Sequence, residues 1–195
     1  MTAFKTFWSN YSTNIVRFWT NQIVMSLLGI SVGLATIALD NVMIAIGGCG
    51  FTIGLLCFMQ YDNMFQLGEK HHFMHADVVR PAKSLGLKIA VLASTPLFLV
   101  VIIGFLFEVV FDHEGFVACN LIYCALHGSY IQTHAFVLSI PTADTADVIL
   151  GVIRWSSLAL YTLPAILFSA LGYYFGSKDR TIRSLFGIKT SSEHH

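Results

Sequence analysis

Ten of the eleven Lys and Arg residues fall in three short polar segments, and long apolar runs separate those segments. The cationic segments hold Lys5 and Arg17, then Lys70, Arg80, Lys83 and Lys88, then Lys178, Arg180, Arg183 and Lys189. Arg154 stands apart from them. Only 11% of the residues are charged and 55% are hydrophobic, whereas soluble domains carry about 25% charged residues. The mean hydropathy of +0.70 fits a lipid solvent better than water. The formal net charge of zero argues against nucleic acid as a partner.

A spanning helix needs about 20 apolar residues. Four runs meet that need: Gln22 to Leu39, Val42 to Met59, Ile89 to Phe111 and Trp155 to Gly176. Asp40-Asn41 makes a tight turn between the first two, so residues 22–60 read as a helical hairpin. Pro96 and Pro164 lie inside later runs, where membrane helices tolerate proline as a kink. Residues 1–18 carry Trp8, Tyr11 and Phe18 and read as a segment lying on the membrane surface. The first apolar stretch has no small-residue cleavage site and reads as a retained helix.

A fifth run, Phe116 to Ile140, is long enough to span but is wet, with Asn120, His127, Ser129, Gln132, Thr133 and His134. Charge arbitrates. Were it to span, the cation-free loop from Pro141 to Asp147 would be cytoplasmic and the basic tail external, against the positive-inside tendency. With four spans, every cation except Arg154 is cytoplasmic, and Asp40, Glu108, Asp112, Glu114, Asp144 and Asp147 are external. The expected fold is therefore an all-α integral membrane bundle of four transmembrane helices, with five as the alternative. The chain forms one membrane domain, residues 1–195. Its parts are the interfacial segment 1–18, the hairpin 22–60, a cytoplasmic loop 61–88, a span 89–111, an outer helical cap 114–153 that is re-entrant or amphipathic, a span 155–176 and a cytoplasmic tail 177–195. His194 and His195 resemble the start of a purification tag.

The polar residues with functional potential are few. His127 and His134 are seven apart and share a helical face. Glu108, Asp112 and Arg154 lie at the ends of apolar runs, where ionisable groups are candidates for function; Arg154 pairing with Glu108 or Asp112 has a structural reading. His71 and His75 are one helical turn apart, a metal-pair spacing without a clear third ligand. Cys49, Cys57, Cys119 and Cys124 form no metal-binding pattern. No metal or cofactor is expected, and nucleophile, phosphate-loop and dinucleotide signatures are absent. Gly29 and Gly33, then Gly47, Gly50 and Gly54, then Gly172 and Gly176, form small-residue stripes that let membrane helices approach closely.

Two stretches carry a family resemblance: Gly86-Leu87-Lys88-Ile89-Ala90-Val91-Leu92-Ala93-Ser94, preceded by Gly68-Glu69-Lys70, and Leu171-Gly172-Tyr173-Tyr174-Phe175-Gly176-Ser177-Lys178-Asp179. They resemble small multi-pass membrane proteins of low-GC Gram-positive bacteria. The resemblance implies a bacterial plasma membrane and brings no site residues with it. The expected function is a non-catalytic accessory or scaffold subunit of a larger membrane complex, in contact with lipid and with a membrane-protein partner or a second copy. The alternatives are a small transporter or channel subunit, and a lipid-active enzyme using His127, His134 and outer carboxylates.

Overall fold

Lipid-soluble runs with no partner for their backbone groups must become helices, and the computed structural model bears this out. It describes residues 2–39, 41–73, 84–111, 114–130 and 147–178. The elements are α1 (Thr2–Ala38), α2 (Val42–Phe73), α3 (Leu85–Phe105) ending in a π turn (Leu106–Val110), α4 (Gly115–Leu126) followed by a 3₁₀ turn (Gly128–Tyr130), α5 (Asp147–Tyr161) and α6 (Leu163–Gly176). No strand occurs among the described residues.

Four stretches are long and apolar enough to cross a bilayer: Lys5–Thr36, Met43–Phe73, Leu85–Val110 and Val152–Gly176. The last joins α5 to α6. The protein is thus an all-α membrane bundle with four spans. Helix α4 has only 12 residues, which makes it about 18 Å long, roughly half a bilayer.

The first two helices are longer than their apolar runs. Residues 2–18 are not a separate surface segment: α1 is continuous from Thr2, and its Ile15 and Phe18 are buried in the core. Helix α2 likewise runs on through residues 61–73, which the hydropathy assigns to a loop. Helical packing wins over polarity there, because the extensions bury Met64 and Leu67 against Ile89, Ala93 and Tyr173. A second core cluster forms around Leu97, Val101, Tyr123, Trp155 and Leu158. Large apolar side chains such as Leu27, Leu34, Met43, Phe51, Leu121 and Leu167 face outward, as the surface of a membrane-spanning helix requires.

Glycine decides how close the spans come. A Cβ on Gly172 would overlap the Tyr61 carbonyl, and one on Gly176 the Phe65 carbonyl. From the other side, a Cβ on Gly68 would lie 2.5 Å from the Tyr173 carbonyl oxygen. Helices α2 and α6 are therefore in backbone contact along two turns.

That contact places one pole of the bundle. The His71 ring is 3.1 Å from the Tyr173 hydroxyl, Tyr11 packs edge-on to His71, and Gly86 abuts Tyr173. The start of α1, the end of α2, the start of α3 and the end of α6 therefore lie together. Lys70, Lys88 and Lys178 sit at this basic pole, and Glu108 and Glu114 sit at the opposite, acidic pole.

Candidate functional site

Helix α4 enters the bundle from the acidic pole and stops halfway. At 1.5 Å per residue, Gln22 lies about 17 Å along α1 from Tyr11, and Tyr161 about 18 Å along the last span from Tyr173. The end of α4 meets both. Gln22 Nε2 donates to the Leu126 carbonyl at 3.3 Å, and Ser26 Oγ donates to the Ala125 carbonyl at 2.6 Å. These are carbonyls that a helix C-terminus leaves without intrahelical partners. In lipid each would cost several kcal/mol if left bare. Gln22 and Ser26 solve that problem from a neighbouring helix.

The chain then turns back toward the acidic pole. Gly128 N–H donates to Ser26 Oγ at 2.7 Å, Ser129 Oγ donates to the Met25 carbonyl at 3.0 Å, and Thr52 Oγ1 donates to the Ser129 carbonyl at 3.1 Å. A Cβ on Gly29 would lie 2.5 Å from the Gly128 carbonyl oxygen and the Ser129 Cα. Glycine on α1 is what makes room for the turn. Residues 115–130 thus form a re-entrant element rather than a cap: its tip, residues 127–130, is buried in the bundle, while α4 keeps one face, with Val117, Leu121 and Ile122, exposed.

A second break is closed by the same element. Pro164 has no N–H to give Leu160, and Thr162 N–H turns to Ala159 at 3.3 Å instead of continuing the α-helical ladder. The last carbonyls of α5 need other donors. Tyr123 hydroxyl donates to the Leu158 carbonyl at 2.5 Å, and His127 Nε2 donates to the Tyr161 carbonyl at 3.1 Å.

This assigns the His127 tautomer. A carbonyl only accepts, so Nε2 carries the hydrogen. Nδ1 then accepts from Gln22 Nε2, which contacts it closely. The imidazole is neutral, 2% exposed, stacked on Tyr130 at 4.7 Å between ring centroids. Tyr130 in turn stacks on Tyr161 at 5.0 Å. The hydroxyls of Tyr130 and Tyr161 are buried and have no hydrogen-bond partner among the described residues.

At the acidic pole Glu108 sits in the π turn, where it pairs with Arg154 and accepts from Trp155 Nε1 at 2.5 Å. The Trp155 ring covers Gly104, where a Cβ would overlap it. Glu108 and Arg154 are brought together, as their positions at the run ends suggest. His127 is not near them: Arg154 lies about 10 Å from Tyr161 along α5. His127 has an amide and a carbonyl for partners, and no carboxylate. His134, Asp112 and the loop from Pro141 to Thr145 lie outside the described residues.

The other candidates separate as follows. His71 is held by Tyr173 and His72 Nδ1 lies 3.2 Å from the Ser177 carbonyl, so both are spent on α6 and the end of its last turn; His75 lies outside the described residues. Among the described residues no three His, Cys, Asp or Glu side chains gather as a metal site. Cys49, Cys57, Cys119 and Cys124 form no disulfide. Of the glycines, Gly29, Gly172 and Gly176 serve close packing and Gly33 is buried, while Gly47, Gly50 and Gly54 have nothing within 4 Å of a built Cβ.

Sequence reasoning passed over Gln22, Ser26, Tyr123 and Tyr161. The spacing of Gln22, Ser26 and Gly29 on one face of an apolar helix was the available signal. No protein-family model, curated protein or solved structure matches the chain.

Proposed function

We propose that the protein is a non-catalytic subunit of a larger membrane assembly, and that it docks a helix of a partner membrane protein on the outer face of α2. One observation carries this reading. Gly47, Gly50 and Gly54 line a single exposed stripe, and among the described residues nothing lies within 4 Å of a Cβ built on any of them. The glycines at 29, 68, 86, 172 and 176 are all pressed against another helix or turn. Exposed Met43 and Phe58 stand at the two ends of the empty stripe and Phe51 along one side of it. Small residues in such a stripe let a second helix reach van der Waals contact where lipid tails would otherwise lie.

The interior supports the same reading. Tyr123, Ser129 and Nε2 of His127 are turned to main-chain carbonyls, which is how a fold closes a break rather than how it lines a pathway. The basic pole is taken as cytoplasmic, which puts both termini on that side. A bacterial plasma membrane fits the resemblance carried by residues 86–94 and 171–179.

The test is purification in mild detergent followed by mass spectrometry of what remains bound. Wild type should retain a stoichiometric membrane partner, and Gly50→Leu with Gly54→Leu should lose it while the melting temperature stays put. A monomer with no partner in native nanodiscs would sink the proposal. Self-association lost in the same variant would identify the partner as a second copy.

A further inference from the structure

A polar groove opens on the outer surface between α1 and α2, away from the re-entrant element. It holds about 260 Å³ and is lined by Arg17, Asn21, Asp62 and Gln66, with Phe58 and Met59 as apolar wall. Arg17 Nη1 donates to Gln66 Oε1 at 3.2 Å, and Gln66 Nε2 donates to Asp62 at 2.7 Å. Gln66 therefore stands between the cation and the anion, and no ion pair joins them. Asn21 is anchored separately, through the Met59 carbonyl at 3.3 Å.

The depth of this groove is unusual. On α3, past the exposed Lys88, lipid-facing apolar side chains begin at Val91, about 8 Å inward of the Gly86 contact with Tyr173. On α2 they run from Met43 to Phe58 and resume only at Phe73. Counting from the level of Tyr11, His71 and Tyr173, Arg17 lies about 9 Å and Asp62 about 13 Å toward the bilayer centre. Two ionisable side chains thus occupy a depth at which the far side of the bundle already faces hydrocarbon. Such residues are costly without a polar companion.

We propose that the groove binds the headgroup of an amine-bearing glycerophospholipid. The lipid phosphate sits on Arg17 and Asn21, and the ammonium sits on Asp62. One cation and one anion held apart by an amide match a zwitterion whose own charges are held apart by two carbons. The Arg17 fork has donors left beyond the one given to Gln66, and the carboxylate accepts from more than one donor. The volume suits a headgroup and is far too small for a helix, which is about 10 Å across. Beyond the groove the same α1 face turns apolar, with Val24 and Leu28 exposed. The acyl chains run along these residues toward the acidic pole. The site rests on charge and shape at Arg17 and Asp62, and stands whether or not the glycine stripe binds a partner.

The experiment is lipid titration of the full chain in detergent, read by native mass spectrometry and thermal shift. Phosphatidylethanolamine, phosphatidylcholine and phosphatidylglycerol are compared. One phosphatidylethanolamine per chain should be retained, at least about tenfold tighter than the other two, the difference one charge-assisted hydrogen bond makes. Asp62→Asn should remove that preference and leave residual phosphate binding. Arg17→Gln should weaken all three lipids together. Both changes are near in size and lie on the surface, so lipid-free melting should match wild type. Val91→Ala, exposed on α3, should bind as wild type. Equal retention of the three lipids by wild type, or an unchanged preference in Asp62→Asn, would overturn the proposal. Loss of binding in Val91→Ala to the same degree would also overturn it.

Discussion

The His127 imidazole donates from Nε2 to the main-chain carbonyl of Tyr161 at 3.1 Å, and so joins the tip of a half-length helix to a break in the last span. The two irregularities complete each other. Pro164 withholds a donor from Leu160 and Thr162 N–H turns from Leu158 to Ala159, and α4 ends where Tyr123 and His127 reach the carbonyls of Leu158 and Tyr161. Gln22 and Ser26 on α1 then satisfy the carbonyls that α4 leaves at its own end. Non-helical backbone survives at this depth only because protein, not lipid, surrounds it.

Replacing His127 by Ala should therefore be severe. It opens a cavity beside Tyr130 and leaves the Tyr161 carbonyl without its side-chain donor, a loss of about 2–4 kcal/mol. Unfolding by denaturant in mixed micelles would measure it. A cost under about 0.5 kcal/mol would show that the bond is incidental.

The same geometry makes a prediction about coupling. Pro164→Ala restores an N–H for the Leu160 carbonyl and removes the ring that holds the ladder open beside Tyr161. His127→Ala should then cost less in the Pro164→Ala background than in wild type, by about 1 kcal/mol. Strict additivity of the two changes would mean that His127 does not serve the break.

The imidazole should be observable as a neutral, Nε2-protonated tautomer. Nitrogen NMR on histidine-labelled protein distinguishes this state from its Nδ1 tautomer and from the cation. An Nδ1-protonated ring would require the Gln22 amide to be turned over, and would refute the assignment made from the Tyr161 carbonyl.

Much of the architecture is legible in the sequence, and the reason is specific. Apolar length and the placement of cations are direct consequences of the bilayer, so the runs ending at Leu39, Met59, Phe111 and Gly176 mark the four spans. The pairing of Arg154 with Glu108 is legible for the same reason, since both stand at the ends of runs on one side. The extensions of α1 and α2 are not legible by hydropathy, because Asn14 and Asn63 are polar side chains that face each other across two helices rather than solvent. The re-entrant element is legible only in part. Polar residues such as Asn120, His127 and Ser129 mark a stretch that does not simply span, but they do not distinguish a surface cap from a half-helix whose tip is buried. That distinction lies in Gln22, Ser26 and Gly29, about a hundred residues away, whose spacing has meaning only once a partner is known.

Glycine substitutions offer the sharpest contrast within one residue type. Gly172→Ala places a methyl group into the Tyr61 carbonyl, with backbone on the other side that cannot rotate away. Overpacking of this kind costs about 1–3 kcal/mol, and a larger side chain should prevent α2 and α6 from meeting at all. Gly50→Ala meets nothing within 4 Å. It removes a flexible residue from a helix interior, where Ala is favoured by about 0.5–1 kcal/mol. The isolated protein should thus lose stability in the first variant and keep or gain it in the second. Thermal melts of the two proteins in the same detergent decide the matter. Equal destabilisation would mean that the α2 face carrying Gly50 is already packed against something within the chain, and the partner-docking role assigned to that face would fall with it.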